Sequence, residues 1–312
     1  MSVSGVSGSL TGGYAGGRAT LRGSNGAAQT AIAEAAQRLA RATAEVSSGK
    51  RIQRPSDDVV GTDKALELRR ALAAEERFAA ASNDAKSWLG TTDTALQRSV
   101  ALLHTARGLA VQAGADSQSP EGRAAIATQI RGIREDMLAT ANTTYLGRPV
   151  FGGTTAASVA FAEDAGGVVT PSAGMGNVVE RTLAPGVDVR VDTAGTAAFG
   201  AGDDSVFAVL SRLETAVLAG AAESSAQLGD MTAALGRMTT TLADVGTRYA
   251  RTESLQSIGT QRTLSLTSSQ REVEDVDLAE ALMNLATHEK AYQAALGAAA
   301  KVVTPTIMDF LR

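Results

Sequence analysis

A chain of 312 residues with 44% hydrophobic and 20% charged residues can bury a sizeable core, yet its aromatics amount to only 4%, a balance that favours slender helix packing. A net charge of -4 with both signs interspersed leaves no basic stripe to track a phosphate backbone, so nucleic acid is excluded as an expected partner. The absence of cysteine excludes disulfides and thiolate metal sites, and no apolar run is long enough to span a bilayer, so membrane insertion is not expected.

Residues 1–26 are rich in Gly and Ser and lack a basic segment followed by an apolar run; they read as a flexible arm and not as a cleaved secretory signal. In the next segment, 27–56, Ile32, Ala36, Leu39, Thr43 and Val46 recur in alternating steps of four and three, the seam of a coiled-coil helix, which Gly49 stops. Lys50 to Pro55 breaks the helix. Ser56, Asp57 and Asp58 then place a capping hydroxyl and two carboxylates at the start of a new one.

Residues 57–145 read as the first half of a helical bundle. Leu89, Leu96, Leu103 and Ala110 interleave with Ala85, Thr92, Ser99 and Ala106 at heptad spacing, with Trp88 beside the stripe. A second helix opens at Ser119 with Pro120 in its first turn, aligns Ile126, Ile130, Ile133 and Met137, and ends near Asn142. Residues 146–204 turn to Gly, Thr, Val and Pro, and the alternation of Val187, Val189 and Val191 with charged residues reads as strand, so a small β-rich domain is expected.

Residues 205–270 return to helix through Phe207, Leu210, Leu213 and Val217, and then through a heptad run from Leu228 to Tyr249. The last segment, 271–312, carries a second seam of Leu278, Leu282, Leu285, Tyr292, Leu296, Val303 and Phe310, interrupted by Glu289 and Thr306. Two terminal seams far apart in sequence each need an apolar partner, and pairing them is the economical solution. The expected fold is therefore mainly α with a small β insertion, an elongated antiparallel helical bundle whose termini lie together.

The corner Ser47-Ser48-Gly49-Lys50-Arg51-Ile52 with Pro55-Ser56-Asp57-Asp58 resembles that of the bacterial flagellin family. In the expected order follow Asn142-Thr143-Thr144, Gly147-Arg148-Pro149-Val150-Phe151-Gly152-Gly153-Thr154, Glu274 to Ala281, Ala291 to Leu296, and Met308-Asp309-Phe310-Leu311-Arg312. The Gly-Lys-Arg and Asp-Phe-Leu-Arg spellings resemble the family's hook-filament junction members more than its filament flagellins, which usually carry an Ala-rich corner. The resemblance covers Arg18 to Arg312 and is weakest from Thr155 to Gly202, while Met1 to Gly17 looks like an extension before the usual start.

The resemblance implies a flagellin-like structural protein, exported unfolded by the flagellar type III apparatus on an uncleaved signal, that lies outside the cell and joins hook to filament. It implies as partners the other hook-associated junction protein, flagellin, further copies of the chain in a ring, and an export chaperone. Filament flagellin is the alternative within the family, and a helical signalling or interaction module is the alternative outside it; the β insertion argues against a long signalling rod.

No residue pattern points to catalysis, a cofactor or a metal. Asp57 and Asp58 with Glu34 or Glu45 could pair as catalytic carboxylates, but acidic residues opening a helix are expected from capping alone. The run Glu272, Glu274, Asp275 and Asp277 lacks the glycine-bearing loop of an EF-hand. His104 and His288 are the only histidines and lie on separate helices, and Gly174-Met175-Gly176 lacks the third glycine of a dinucleotide loop.

Overall fold

The computed structural model describes residues 15–303 apart from 116, 117 and 175, with side chains from 26 to 301. Contacts divide it into two units, one of residues up to Arg70 together with those from Leu266, the other of Ala71–Ser265.

In the first unit, α1 (Ala15–Ser48) packs along α8 (Leu278–Val303). Because the end of α1 is hydrogen-bonded to the turn that opens α8, the two run antiparallel. The inward line of α1 is Ile32, Ala35, Leu39, Ala42 and Val46, with the alanines fully buried and the larger residues half-buried. Ala35 and Ala42 are the buried interleaved positions; the expected Ala36 is half-buried beside this line, and the expected Thr43 is exposed. A methyl side chain lets the facing helix approach closely, whereas Thr43 turns to solvent and its hydroxyl donates to the Leu39 carbonyl at 2.8 Å.

Two expected boundaries move. The flexible arm of residues 1–26 is helical from Ala15 onward, and residues 1–14 lie outside those described. Each glycine there weighs against helix by about 1 kcal/mol, but extending a helix already nucleated by its seam avoids the costly step. At the other end, α7 (Leu228–Glu274) passes without a break through the boundary expected at residue 270, and the chain turns only at Asp275–Asp277.

In the second unit, the heptad line of α2 (Val59–Ala113) is buried from Ala85 through Leu89, Leu96, Leu103 and Ala106 to Ala110. The hydroxyls of Thr92 and Ser99 enter this core at no hydrogen-bonding loss by donating to the carbonyls of Trp88 and Ala95 at 3.0 and 2.9 Å. Helix α3 (Pro120–Ala141) is capped by Ser119, whose side chain accepts from the Gly122 amide, and buries Ile126, Ile130, Ile133 and Met137. Helix α7 contributes Met231, Met238 and Val245. It is tied to α2 by Gln256 donating to Asn83 at 2.8 Å and by Lys86 lying over the Tyr249 ring.

The β-rich segment consists of three separate antiparallel hairpins, β1 (Thr144–Tyr145) with β2 (Arg148–Pro149), β3 (Phe161–Glu163) with β4 (Val169–Pro171), and β5 (Glu180–Ala184) with β6 (Val187–Arg190). Leu146 and Gly147, both at positive φ, make the first turn, the backbone twist that two-residue hairpins favour. Asn142 extends the second hairpin by both donating to the Phe161 carbonyl and accepting from its amide, at 2.9 and 2.8 Å.

The short α4 (Gly195–Phe199) then leads to α5 (Val206–Ala219) and α6 (Ala221–Ala226). Phe199 centres an aromatic cluster with Phe151, Phe161 and Phe207, at ring separations of 5.1, 5.5 and 5.9 Å. Phe199→Ala is expected to cost about 4 kcal/mol, read as a lower melting temperature.

Candidate assembly site at the helix corner

Gly49 closes α1 at φ +67, the left-handed position that a glycine takes without strain. The chain then forms a short antiparallel bridge to the turn between α7 and α8: the Arg51 amide donates to the Glu274 carbonyl at 2.8 Å, and the Val276 amide donates to the Gly49 carbonyl at 3.0 Å. Side chains fasten the same joint. Glu274, buried with its side chain only 3% exposed, accepts from Lys50 Nζ and Arg69 at 2.8 Å each and from Gln270 at 3.2 Å. Burial pushes its carboxyl up, but the hydrogen bonds of Lys50 and Gln270 and the charges of Lys50 and Arg69 outweigh burial and hold it below its ordinary value.

Arg51 spans the corner, donating to the Val273 carbonyl at 3.0 Å and pairing with Asp58 at 3.1 Å. The two aspartates divide the work that the sequence suggested they share. Asp58 caps α2 by accepting from the Gly61 amide at 2.8 Å, and that hydrogen bond, with Arg51 beside it, lowers its carboxyl. Asp57 instead holds the loop, accepting from the amides of Gln53 and Arg54 at 3.3 and 2.8 Å. Ser56 and Pro55 are exposed, and the expected capping hydroxyl of Ser56 is supplanted by the Asp58 carboxylate.

Arg69, Gln270 and Gly61 complete the corner without having stood out in sequence, and Glu274, which stood there as one member of an acidic run, is the corner's buried centre. A Cβ on Gly61 would meet the Asp58 carboxylate and lie 2.6 Å from Ile52 Cδ1. Gly61→Ala is accordingly expected to destabilise the corner by about 2 kcal/mol, seen as faster hydrogen exchange at the Gly61 amide. Acid should act on the same groups. Carboxyls lowered by folding contribute stability that is complete above their unfolded pKa values, about 4.3 for Glu and 3.9 for Asp, and that is lost as pH falls through the lower folded values. Exchange protection of the Arg51 and Val276 amides should therefore hold at pH 6 and decline below about pH 4.

The seam residues of α8 separate into two sets. Ala281 is buried, and Leu285, His288, Tyr292, Ala295 and Ala299 are half-buried in steps of four and three. Leu278, Leu282 and Leu296, roughly 60° around the helix from that line, are 54%, 49% and 43% exposed, and Met283 is exposed beyond them. The expected seam of Leu278, Leu282, Leu285, Tyr292 and Leu296 thus straddles a satisfied face and an unsatisfied one. The Val303 side chain and Phe310 lie outside the described residues. No helix of the described residues is long and apolar enough to cross a membrane.

Residues 22–156 match the bacterial flagellin N-terminal helical region. Over 271 residues the chain is 28% identical to flagellar hook-associated protein 3 of Escherichia coli K12, covering 80% of this chain and 86% of that protein. Flagellin B of Helicobacter pylori 26695 is 34% identical over 106 residues, which is 34% of this chain but 21% of that protein. The crystal structure of the flagellar junction protein FlgL from Legionella pneumophila shares the fold, with a TM-score of 0.57 at 15% identity over 68% of this chain and 100% of that one. With the corner and the helical plan in agreement, residues 22–156 carry the bacterial flagellin N-terminal helical region, and the chain over most of its length is similar to flagellar hook-associated protein 3.

Proposed function

We propose that the chain is a structural subunit of the hook-filament junction, built into the flagellar axis through its terminal helices. The observation that carries this is a likeness spread over 86% of a hook-associated protein, against 21% of a filament flagellin. Physical chemistry supports the assembly role: an apolar edge on α8 that finds no cover among the described residues gains from burial against neighbouring subunits.

Within this proposal, α1 and α8 pack as an inner layer, with Ile32, Leu39 and Val46 on one seam and Leu278, Leu282, Leu285, Tyr292 and Leu296 on the other. The corner from Gly49 to Asp58 joins the end of α1 to the turn that opens α8. The partners are the other hook-associated junction protein, flagellin, further copies in a ring, and an export chaperone that covers the apolar edge before assembly. The chain acts outside the cell, leaves it by the flagellar type III route on an uncleaved signal, and catalyses nothing. Cells lacking it should carry hooks without filaments and shed flagellin into the medium; filaments of normal length on such cells would contradict the junction role.

A further inference from the structure

The corner carries a groove with arginines unpaired among the described residues and, on the far side of the Arg51 bridge, an exposed acidic turn. A groove of about 440 Å³ runs between the last turns of α1 and the corner loop, lined by Gln37, Arg41, Glu45, Arg51, Arg54 and Asp57 among others. Its acids are partly committed, since Asp57 accepts from two loop amides, and Arg51 is held by Asp58. Arg41 and Arg54 are exposed and make no ion pair among the described residues, where Glu45 on the same wall pairs with neither. Beyond the bridge, the turn from α7 into α8 carries Glu272, Asp275, Asp277 and Glu280, all exposed and, among the described residues, none in an ion pair. None of these four lines the groove.

We infer that the groove receives the acidic turn of a second copy of this chain, Arg41 and Arg54 pairing with Glu272 and Asp275. Repeated head to tail from copy to copy, this contact closes into a ring or extends into a helical array. Charge pairing at the contact sets its register, while the apolar edge of α8 supplies the greater part of the association energy. The inference rests on the junction-subunit proposal and gives it a direction of assembly.

The chain has no cysteine, so a disulfide can report the contact without background. The full chain carrying both Arg54→Cys and Glu272→Cys, expressed in its own bacterium, should give a ladder of covalent multimers when isolated flagella are oxidised. Each single-cysteine chain should give no ladder. Charge reversal tests the same contact independently: Arg54→Glu or Glu272→Lys alone should lower the amount of chain per flagellum about tenfold, and the two combined should restore it.

Flagella that contain the double-cysteine chain but give no ladder, or reversals that fail to rescue each other, would overturn the groove-to-turn contact while leaving the junction role standing. Native chain absent from flagella would overturn both.

Discussion

Leu282→Asp is expected to abolish incorporation into flagella while leaving the isolated chain folded. Leu282 is 49% exposed on α8, so the substitution changes the stability of the free chain by less than about 1 kcal/mol. In an assembled seam the same carboxylate would be buried without a partner, at about 3 kcal/mol or more per copy, which is over a hundredfold in affinity at each contact. Ala281→Asp provides the contrast, because Ala281 is buried and a carboxylate there breaks the pairing with α1 in the chain itself. Circular dichroism should show native helicity for Leu282→Asp and reduced helicity for Ala281→Asp. Leu285, half-buried on the same line as Ala281, should lose part of the helicity when replaced by Asp. Normal junctions built from the Leu282→Asp chain would remove the exposed edge of α8 from the account.

The second large effect is expected at Glu274. Replacing Lys50 and Arg69 together by Met leaves a buried carboxylate with Gln270 as its remaining side-chain partner. Removing the partners of a buried charge costs about 3 kcal/mol; here the loss falls on the joint between the corner and the turn before α8. The Arg51 and Val276 amides, which bridge that joint, should exchange on the order of a hundredfold faster. Adding Glu274→Leu to the double variant removes the stranded charge and should recover much of the loss. If the double variant exchanges like the native chain, the ion cluster does not hold the corner.

The parts legible in sequence are those whose cause is local. The break at Gly49, the cap at Ser119, the heptad line of α2 and the strand from Val187 each depend on neighbours within a turn or two. The role of Glu274 was not legible because it comes from Lys50, 224 residues away, and in sequence it is one acid among several before a helix. A signal was available: alone in that run it sits on the same helix face as Gln270, one turn earlier.

On α1 the expected Thr43 is exposed and Ala42 beside it is buried, because spacing alone does not distinguish two adjacent small residues. The hairpins other than β5–β6 were hidden because their strands are two or three residues long, too short for an alternation to register. The corner aspartates were recognised as acids at a helix start, but only three-dimensional placement shows that Asp58 serves the helix and Asp57 the loop.

The central claim, that the chain is a built-in part of the hook-filament junction, is tested most directly by immunogold electron microscopy of intact flagella with an antibody to the β-rich segment. Label confined to the boundary between hook and filament is the predicted result. Label along the filament would make the chain a flagellin subunit, and flagella without label would contradict the account.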